Sequence, residues 1–370
     1  MTRARYGRMR AFFARPTRVL LAAAALCACS AESEKPAGAA AGRAAAGNPG
    51  RGGIAVTCQS DEGIDEQTRS ELTTTARRLR DELKKGQLDA LWHELHPQAR
   101  REDQKKAFTD ALSAMQQRLS ATGENPKIER IHRVDLSGGI NNLARVTCGT
   151  EGDDDTTLMV NAGDEDVAVV MLLDEAGGSE VATTVQVRRR GDKWRLLGIQ
   201  VNPSEYRGAR AATYERMADN FMRQQKVVTA YLLLGLAQTL SDRGAAVKSG
   251  LHDRIEQKLA AISRDQLFAA ETGTWTIGQA RFQIQGLSLV ATQQDISPVI
   301  KYVSPQGLVQ DLLDRDADLL VEEVRRRFPE LPKHFDTVVF EAYADVPNQP
   351  GASYQAYRVV RYFDPAKRRG

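Results

Sequence analysis

Histidine is the side chain best suited to metal binding and proton transfer near neutral pH, and the sequence contains only five. His93 and His96 lie three residues apart within a segment of helical hydrophobic spacing, so both imidazoles could reach one cation. The zinc-protease pattern separates its two histidines by four positions, and no third ligand accompanies this pair. We therefore predict no metal site here and no cofactor for the chain.

Carboxylates are concentrated in two short segments, 151–155 and 163–166. Together they could supply oxygen ligands to Ca²⁺, which needs six to eight, but solvated acidic turns are the commoner outcome and the one predicted. Residues 314–318 resemble the start of a 12-residue EF-hand calcium loop. Leu319 occupies the sixth position, which requires glycine, and Arg325 occupies the twelfth, which requires glutamate, so we predict no calcium loop here. Hydrolase, β-lactamase and nucleotide-binding motifs are not found, so no residue is assigned as catalytic.

The first 28 residues predict export. Residues 1–18 contain six arginines and no acid, and an apolar run of ten residues, 19–28, follows. Such a run is too short to cross a bilayer, which takes about 20 residues, but it suits the apolar region of a secretory signal. Leu26-Cys27-Ala28-Cys29 resembles the lipobox of bacterial lipoproteins. The resemblance implies cleavage before Cys29 and attachment of a diacylglycerol and an acyl chain to Cys29.

The residues that follow predict where the protein is held. Inner-membrane retention favours Asp after the lipidated cysteine, so Ser30 indicates the outer membrane, with the protein facing the periplasm. Residues 29–53 form a tether, since 16 of the 24 residues from 30 to 53 are Ala, Gly or Pro. A flexible coil of this length spans about 27 Å. The membrane, reached through several acyl chains, is the first predicted partner.

Removal of the leader reverses the net charge. The 51 basic residues become 45 against 48 acidic ones, so the net charge changes from +3 to −3. Nucleic-acid binding draws on a surplus of basic residues, and we therefore exclude a nucleic-acid partner. Two arginine runs, 188–190 and 325–327, are interpreted as solvated faces, with contact to an anionic lipid or glycan as the alternative.

Two cysteines remain beyond the leader region, Cys58 and Cys148. Each ends a Val-Thr-Cys segment that favours a β-strand. A cysteine pair in an exported chain predicts one disulfide bond. Two separate buried thiols are the alternative.

Hydrophobic periodicity predicts an α+β domain over residues 54–206. Helical spacing covers 72–83, 88–95 and 108–119. Six strands then follow, at 128–136, 142–149, 156–161, 166–174, 180–190 and 193–201. Helices followed by a meander that ends in Arg189-Arg190-Gly191-Asp192-Lys193-Trp194-Arg195-Leu196 resemble a nuclear transport factor 2-like domain. The resemblance implies three helices packed on a curved antiparallel sheet, forming a cone with a pocket; a generic α+β sandwich is the alternative.

Residues 207–370 predict a second α+β domain, for which no family is recognised. Its pattern comprises a long helix over 205–240, a helix over 250–270, strands between 275 and 289, a strand at 299–303, a helix over 313–328, and final strands at 336–344 and 353–363. The alternation of apolar residues slips at Gly286, which predicts a β-bulge there.

Non-enzymatic binding or assembly is the predicted function. By position in the cone fold, the candidate pocket residues are Trp92, His93, His132 and Asp135. The corresponding partner is an envelope protein or a small hydrophobic ligand. The alternative is a periplasm-facing enzyme with an acid–base pair in the same pocket, which requires two titratable groups in one cavity.

A third interpretation assigns the function to the second domain, as an assembly factor. Its tyrosines at positions 343, 354, 357 and 362 would then form an exposed interface stripe. We favour instead their burial in the core of the final strands.

Overall fold

The predicted α+β class is confirmed by a computed structural model of the chain. It describes residues 56–136, 139–140, 142–149, 155–176, 179–263, 266–267, 273–292, 295–346 and 354–369. The predicted leader, the predicted lipidation site Cys29 and the predicted tether lie outside the described residues. Within the described part, three antiparallel or mixed sheets and a short two-stranded ribbon are combined with two groups of helices.

Three helices are present, as predicted: α1 (Glu66–Lys84), α2 (Leu88–Glu94) and α3 (Lys105–Leu119). A short strand outside the six predicted ones, Thr57–Ser60, precedes them. Helix α1 begins at Asp65, whose side chain accepts a hydrogen bond from the Thr68 N–H and satisfies one of the free amides of the first turn. Gly86 adopts φ +72° after α1, a left-handed conformation that favours glycine and separates α1 from α2. The buried face of α1 includes Leu72, Leu79 and Leu83, as its spacing predicted.

Seven strands of the first half form two sheets. Their bounds are β1 (Thr57–Ser60), β2 (Lys127–Asp135), β3 (Ala144–Cys148), β4 (Thr156–Val160), β5 (Val167–Ala176), β6 (Ser179–Arg190) and β7 (Lys193–Pro203). The main sheet has the order β1-β2-β5-β6-β7, and every neighbouring pair is antiparallel. One core cluster joins this sheet to the three helices, and a second cluster joins its other side to β3 and β4.

A strand from the second half completes the smaller sheet. Strand β10 (Val247–Ser249) pairs antiparallel with β4, placing Val247 opposite Leu158. Val247 is buried in the same cluster as Leu158, so the two halves of the chain share a hydrophobic core at this point. The side chain of Asn202 adds a hydrogen bond of 3.0 Å to the Asp242 carbonyl oxygen.

The predicted long helix over 205–240 is wrong as a single element. A short ribbon, β8 (Glu205–Tyr206) and β9 (Ala209–Arg210), is followed by α4 (Ala211–Arg223) and α5 (Val227–Ser241). Gln225 adopts φ +60° between the two helices, and this left-handed residue reverses the chain direction. Helix α5 is buried on most sides, and none of the helices in the described ranges has the length and apolar character needed to span a bilayer.

The second half builds a five-stranded mixed sheet. Helix α6 (Gly250–Ala261) precedes this sheet and ends at Ala261, earlier than the predicted residue 270. The remaining elements are β11 (Thr274–Ile277), β12 (Ala280–Ala291), β13 (Ile296–Val303), α7 (Gln310–Arg327), α8 (Leu331–His334), β14 (Thr337–Tyr343) and β15 (Ala356–Tyr362). Strands β13 and β14 are parallel and are connected through α7, whereas the other pairs are antiparallel. The predicted bulge is confirmed between Ile284 and Gly286.

The last strand, β15, lies at the edge of this sheet. The expected burial of its tyrosines is wrong for Tyr357 and Tyr362, which are 42% and 39% exposed, because no strand covers that edge in the described part. Arg361 of the same strand instead points to α7, where it pairs with Asp314 and Asp318. The acidic segment 314–318 is thus helical, as predicted, and two of its three carboxylates are ion-paired.

Candidate functional site

A groove with a basic lining lies between the end of α2 and the turn that joins β6 to β7. Its volume is about 400 Å³, and its polar lining comprises His93, Arg100, Arg190, Asp192, Lys193 and Arg195. Arg100, Arg190 and Lys193 are exposed, and within the described part of the chain none of their side chains forms an ion pair. The lining of this groove therefore contains four arginine or lysine side chains and only one carboxylate, that of Asp192.

A second depression adjoins the first and shares Asp192, Lys193 and Arg195 with it. Its α1 side presents the hydroxyl groups of Ser70, Thr74 and Thr75. The carboxylate of Glu94 lies between two guanidinium groups, 3.1 Å from Arg78 Nη2 and 3.2 Å from Arg195 Nη1. The two depressions together, called the basic groove below, thus combine five cationic side chains with hydroxyl donors and with the carboxylates of Glu71, Glu94 and Asp192.

Trp194 connects the basic groove to the core. Its ring is buried, and its indole Nε1 has no hydrogen-bond partner among the described residues. The guanidinium of Arg189 lies 5.7 Å from the ring centroid, a cation–π contact. Arg189 lines neither depression and adjoins the basic groove only through its contact with this ring.

Local geometry explains why these cations converge. Gly191 has φ +61° in the turn, which lets β6 and β7 reverse within two residues and brings Arg190 next to Lys193. The His96 N–H donates to the Leu196 carbonyl over 2.7 Å, so the chain after α2 lies along the free edge of β7. The segment that carries Arg100 is thereby held beside the turn.

The buried side chain of Arg188 also holds this segment in place. It donates to Gln98 Oε1 and to the carbonyl oxygens of Asn161 (2.7 Å) and Ala162 (3.1 Å). Gly163 adopts φ +149°, and a Cβ atom there would lie 2.8 Å from Arg188 Nη1, so a larger residue would displace the guanidinium. Burial lowers the pKa of Arg188, although Glu165 and Asp164 oppose that shift. Arg188 is thus a structural residue rather than part of a solvated face.

The four predicted pocket residues are not brought together. Trp92 is buried in the helix-facing core, 5.5 Å from the ring of Phe108, whereas His93 is exposed and lines the basic groove. His132 is buried among the residues between the two sheets, on the other side of the main sheet from Trp92. Asp135, at the end of β2, is half-buried.

The other predicted pair of histidines is also separated. His96 is buried and its Nε2 lies 3.0 Å from Glu165 Oε2, while His93 faces solvent. Burial lowers the pKa of His96, with contributions from the positive charges of Arg188 and Arg190, and the Glu165 carboxylate opposes this shift. Only His93 therefore lies at the surface, because His96 is buried against Glu165.

The predicted disulfide is present between Cys58 and Cys148, whose Cα atoms are 5.4 Å apart. It joins β1 of the main sheet to β3 of the smaller sheet. His132 lies beside it, with Nδ1 2.7 Å from Ser60 Oγ. Burial, with a smaller contribution from Arg130, lowers the pKa of His132 to about 4, so the imidazole is neutral at neutral pH.

Several residues of the basic groove were not singled out from the sequence, notably Arg78, Arg100 and Arg195. The only local signal was the Arg-Gly-Asp-Lys turn, which predicts a hairpin but not what packs beside it. Comparisons with protein-family models, curated proteins and solved structures found no match to this chain. Function is therefore inferred from the residues of the groove and from the leader.

Proposed function

We propose that this protein is an envelope lipoprotein, held at the outer membrane through lipid on Cys29, whose first domain is a non-enzymatic binding module. The charged leader, the apolar run and the Leu-Cys-Ala-Cys sequence support the anchor. The Cys58–Cys148 bond supports export, because disulfides persist in oxidising compartments. Three helices against an antiparallel sheet support the resemblance to nuclear transport factor 2-like domains.

One observation carries the binding role: Arg100, Arg190 and Lys193 face one groove without an ion-pair partner among the described residues. Charge-assisted hydrogen bonds from such groups to carboxylate or phosphate oxygens are about twice as strong as neutral ones. Guanidinium and ammonium groups ordinarily stay protonated at neutral pH, so this lining suits anion binding better than acid–base catalysis. The proposed ligand is an anionic envelope component that bears carboxylate or phosphate groups.

The lipid anchor is tested by metabolic labelling with palmitate and by membrane fractionation. We expect the wild-type protein to incorporate label and to sediment with the outer membrane, and Cys29→Ser to do neither. Cys27→Ser is the matched control, because it changes a neighbouring cysteine that the lipobox does not modify, and it should retain the label. An unlabelled wild-type protein, or equal labelling of Cys29→Ser, would contradict the anchor.

The basic groove is tested by charge reversal. Arg190→Glu combined with Lys193→Glu should weaken binding of fluorescent polyphosphate by more than about tenfold at low salt, since contacts to charged groups contribute about 1.5–3 kcal/mol each. Fluorescence anisotropy measures the affinity. The salt dependence should also become shallower, because fewer cations contact the polyanion.

Lys106→Glu combined with Lys127→Glu is the control of equal charge. Both lysines are exposed, with side chains 85% and 74% accessible, and neither lines the basic groove. Similar weakening in both double variants would indicate a general charge effect. Such a result, or no measurable binding by the wild-type protein, would rule out the groove as an anion site.

A further inference from the structure

Three side chains with metal-binding atoms converge from three different strands. Cys58 lies on β1, His132 on β2 and Cys148 on β3, and a ring nitrogen of His132 and the two sulfurs all lie within 4.8 Å of one another. Cys58 is half-buried, whereas His132 and Cys148 are buried. In the oxidised chain the two sulfurs are bonded to each other, so this group of residues, called the Cys-His cluster below, then has no free thiolate.

The second ring nitrogen of His132 makes the Cys-His cluster unusual. Nδ1 is hydrogen-bonded to Ser60 Oγ, but Nε2 is buried and has no hydrogen-bond partner among the described residues. Most buried polar side-chain atoms have a partner, so this nitrogen calls for an explanation. If Nδ1–H donates to Ser60 Oγ, the lone pair of Nε2 is free. Histidines that bind metals commonly have this arrangement, with the other ring nitrogen donating to a neighbour.

We propose that reduction of the Cys58–Cys148 bond converts the Cys-His cluster into a Zn²⁺ site, with the two cysteine sulfurs and His132 Nε2 as protein ligands. Zinc–sulfur bonds of about 2.3 Å and zinc–nitrogen bonds of about 2.0 Å in tetrahedral geometry place neighbouring ligand atoms roughly 3.5–4 Å apart. The 4.8 Å limit holds for one ring nitrogen of His132, so after reduction the imidazole and the two cysteine side chains rotate to bring Nε2 and the sulfurs to that spacing. Water supplies the fourth ligand through the half-buried side of Cys58.

The redox step needs a dithiol reductant. Its thiolate attacks Sγ of Cys58, the more accessible sulfur, and Cys148 leaves as a thiolate that takes up a proton. The second thiol of the reductant then displaces Cys58, which leaves an oxidised reductant and two cysteine thiols. The dithiol provides both electrons. Zn²⁺ binding releases the two thiol protons to solvent.

Zinc binding is measured on the full mature chain in detergent, without oxygen, after reduction with a dithiol that is removed by gel filtration before zinc is added. We expect one Zn²⁺ per reduced chain by elemental analysis and none on the oxidised chain. Co²⁺ in place of Zn²⁺ should give a thiolate charge-transfer band. His132→Gln should weaken zinc binding by more than about tenfold, and Ser60→Ala by about tenfold, since outer partners of a ligand typically contribute 10–100-fold. His334→Gln, a change in the other half of the chain, should have no effect.

Zinc binding by an unfolded reduced chain must be distinguished from binding at a formed site. Near-ultraviolet circular dichroism of the zinc-loaded protein should retain the tertiary signal of the oxidised form. The site would be overturned if the reduced chain bound no more zinc than Cys58→Ser combined with Cys148→Ser. It would equally be overturned if His132→Gln bound zinc as tightly as the wild-type chain, or if the zinc-loaded chain had lost its tertiary signal.

Discussion

Cys58→Ala combined with Cys148→Ala is expected to lower the free energy of unfolding by about 4–5 kcal/mol. The bond closes a loop with a sequence separation of 90 residues, and the chain-entropy model gives this value for a loop of that length. The location of the bond supports a large effect. Among the described residues, strand β1 pairs only with β2, at the edge of the main sheet, and the bond to β3 attaches it covalently to the smaller sheet.

Urea denaturation with a metal chelator present measures this loss. The reduced wild-type chain is the control, because it lacks the bond but keeps both sulfur atoms. The double variant and the reduced wild-type chain should therefore unfold at similar urea concentrations, well below that of the oxidised chain. A difference of less than about 1 kcal/mol between the oxidised wild-type chain and the double variant would contradict the prediction.

Periodic elements were predicted from sequence close to their observed bounds. Strand β6, predicted over 180–190, is Ser179–Arg190, and the slip at Gly286 became a bulge. These signals are local, since the alternation of apolar residues reflects which face of a strand is buried. The break between α4 and α5 was missed because Gln225, rather than Gly or Pro, adopts the left-handed conformation there.

The arginine run 188–190 shows why the site could not be predicted in the same way. Arg188 is buried and bonded to carbonyl oxygens, Arg189 lies against Trp194, and Arg190 lines the basic groove. The three side chains are chemically identical. The alternating direction of side chains along a strand predicts only which of the two sheet faces each one lies on. Their roles depend on which distant segments pack on each face, and the sequence of one strand does not encode that. The disulfide was predictable because only two cysteines remained to be paired.

Arg80 gives a second case, and the other large expected effect. In the sequence it is one of several arginines on α1, but in the structure its side chain is fully buried. Its Nη2 lies 2.5 Å from Asp174 Oδ1, and the same nitrogen donates to Thr122 Oγ1 and to the Gly123 carbonyl oxygen, each over 2.7 Å. Arg80→Ala should lower the free energy of unfolding by about 3–5 kcal/mol, because it leaves the Asp174 carboxylate buried and unpaired.

The matched control is Arg78→Ala on the same helix. The Arg78 side chain is 43% exposed and pairs with Glu82 and Glu94, so its removal should cost no more than about 1 kcal/mol in urea denaturation. Equal losses for the two variants would contradict a special role for the buried pair.

A double substitution separates the cost of an unpaired charge from the value of the pair. Burial raises the pKa of Asp174 even though Arg80 donates to it, which indicates that desolvation of the carboxylate outweighs the attraction of the guanidinium. Arg80→Met combined with Asp174→Leu removes both charges and keeps apolar volume, so it should recover most of the stability lost in Arg80→Ala. If the double variant were as unstable as Arg80→Ala, the hydrogen bonds to Thr122 and Gly123, rather than the unpaired carboxylate, would account for the loss.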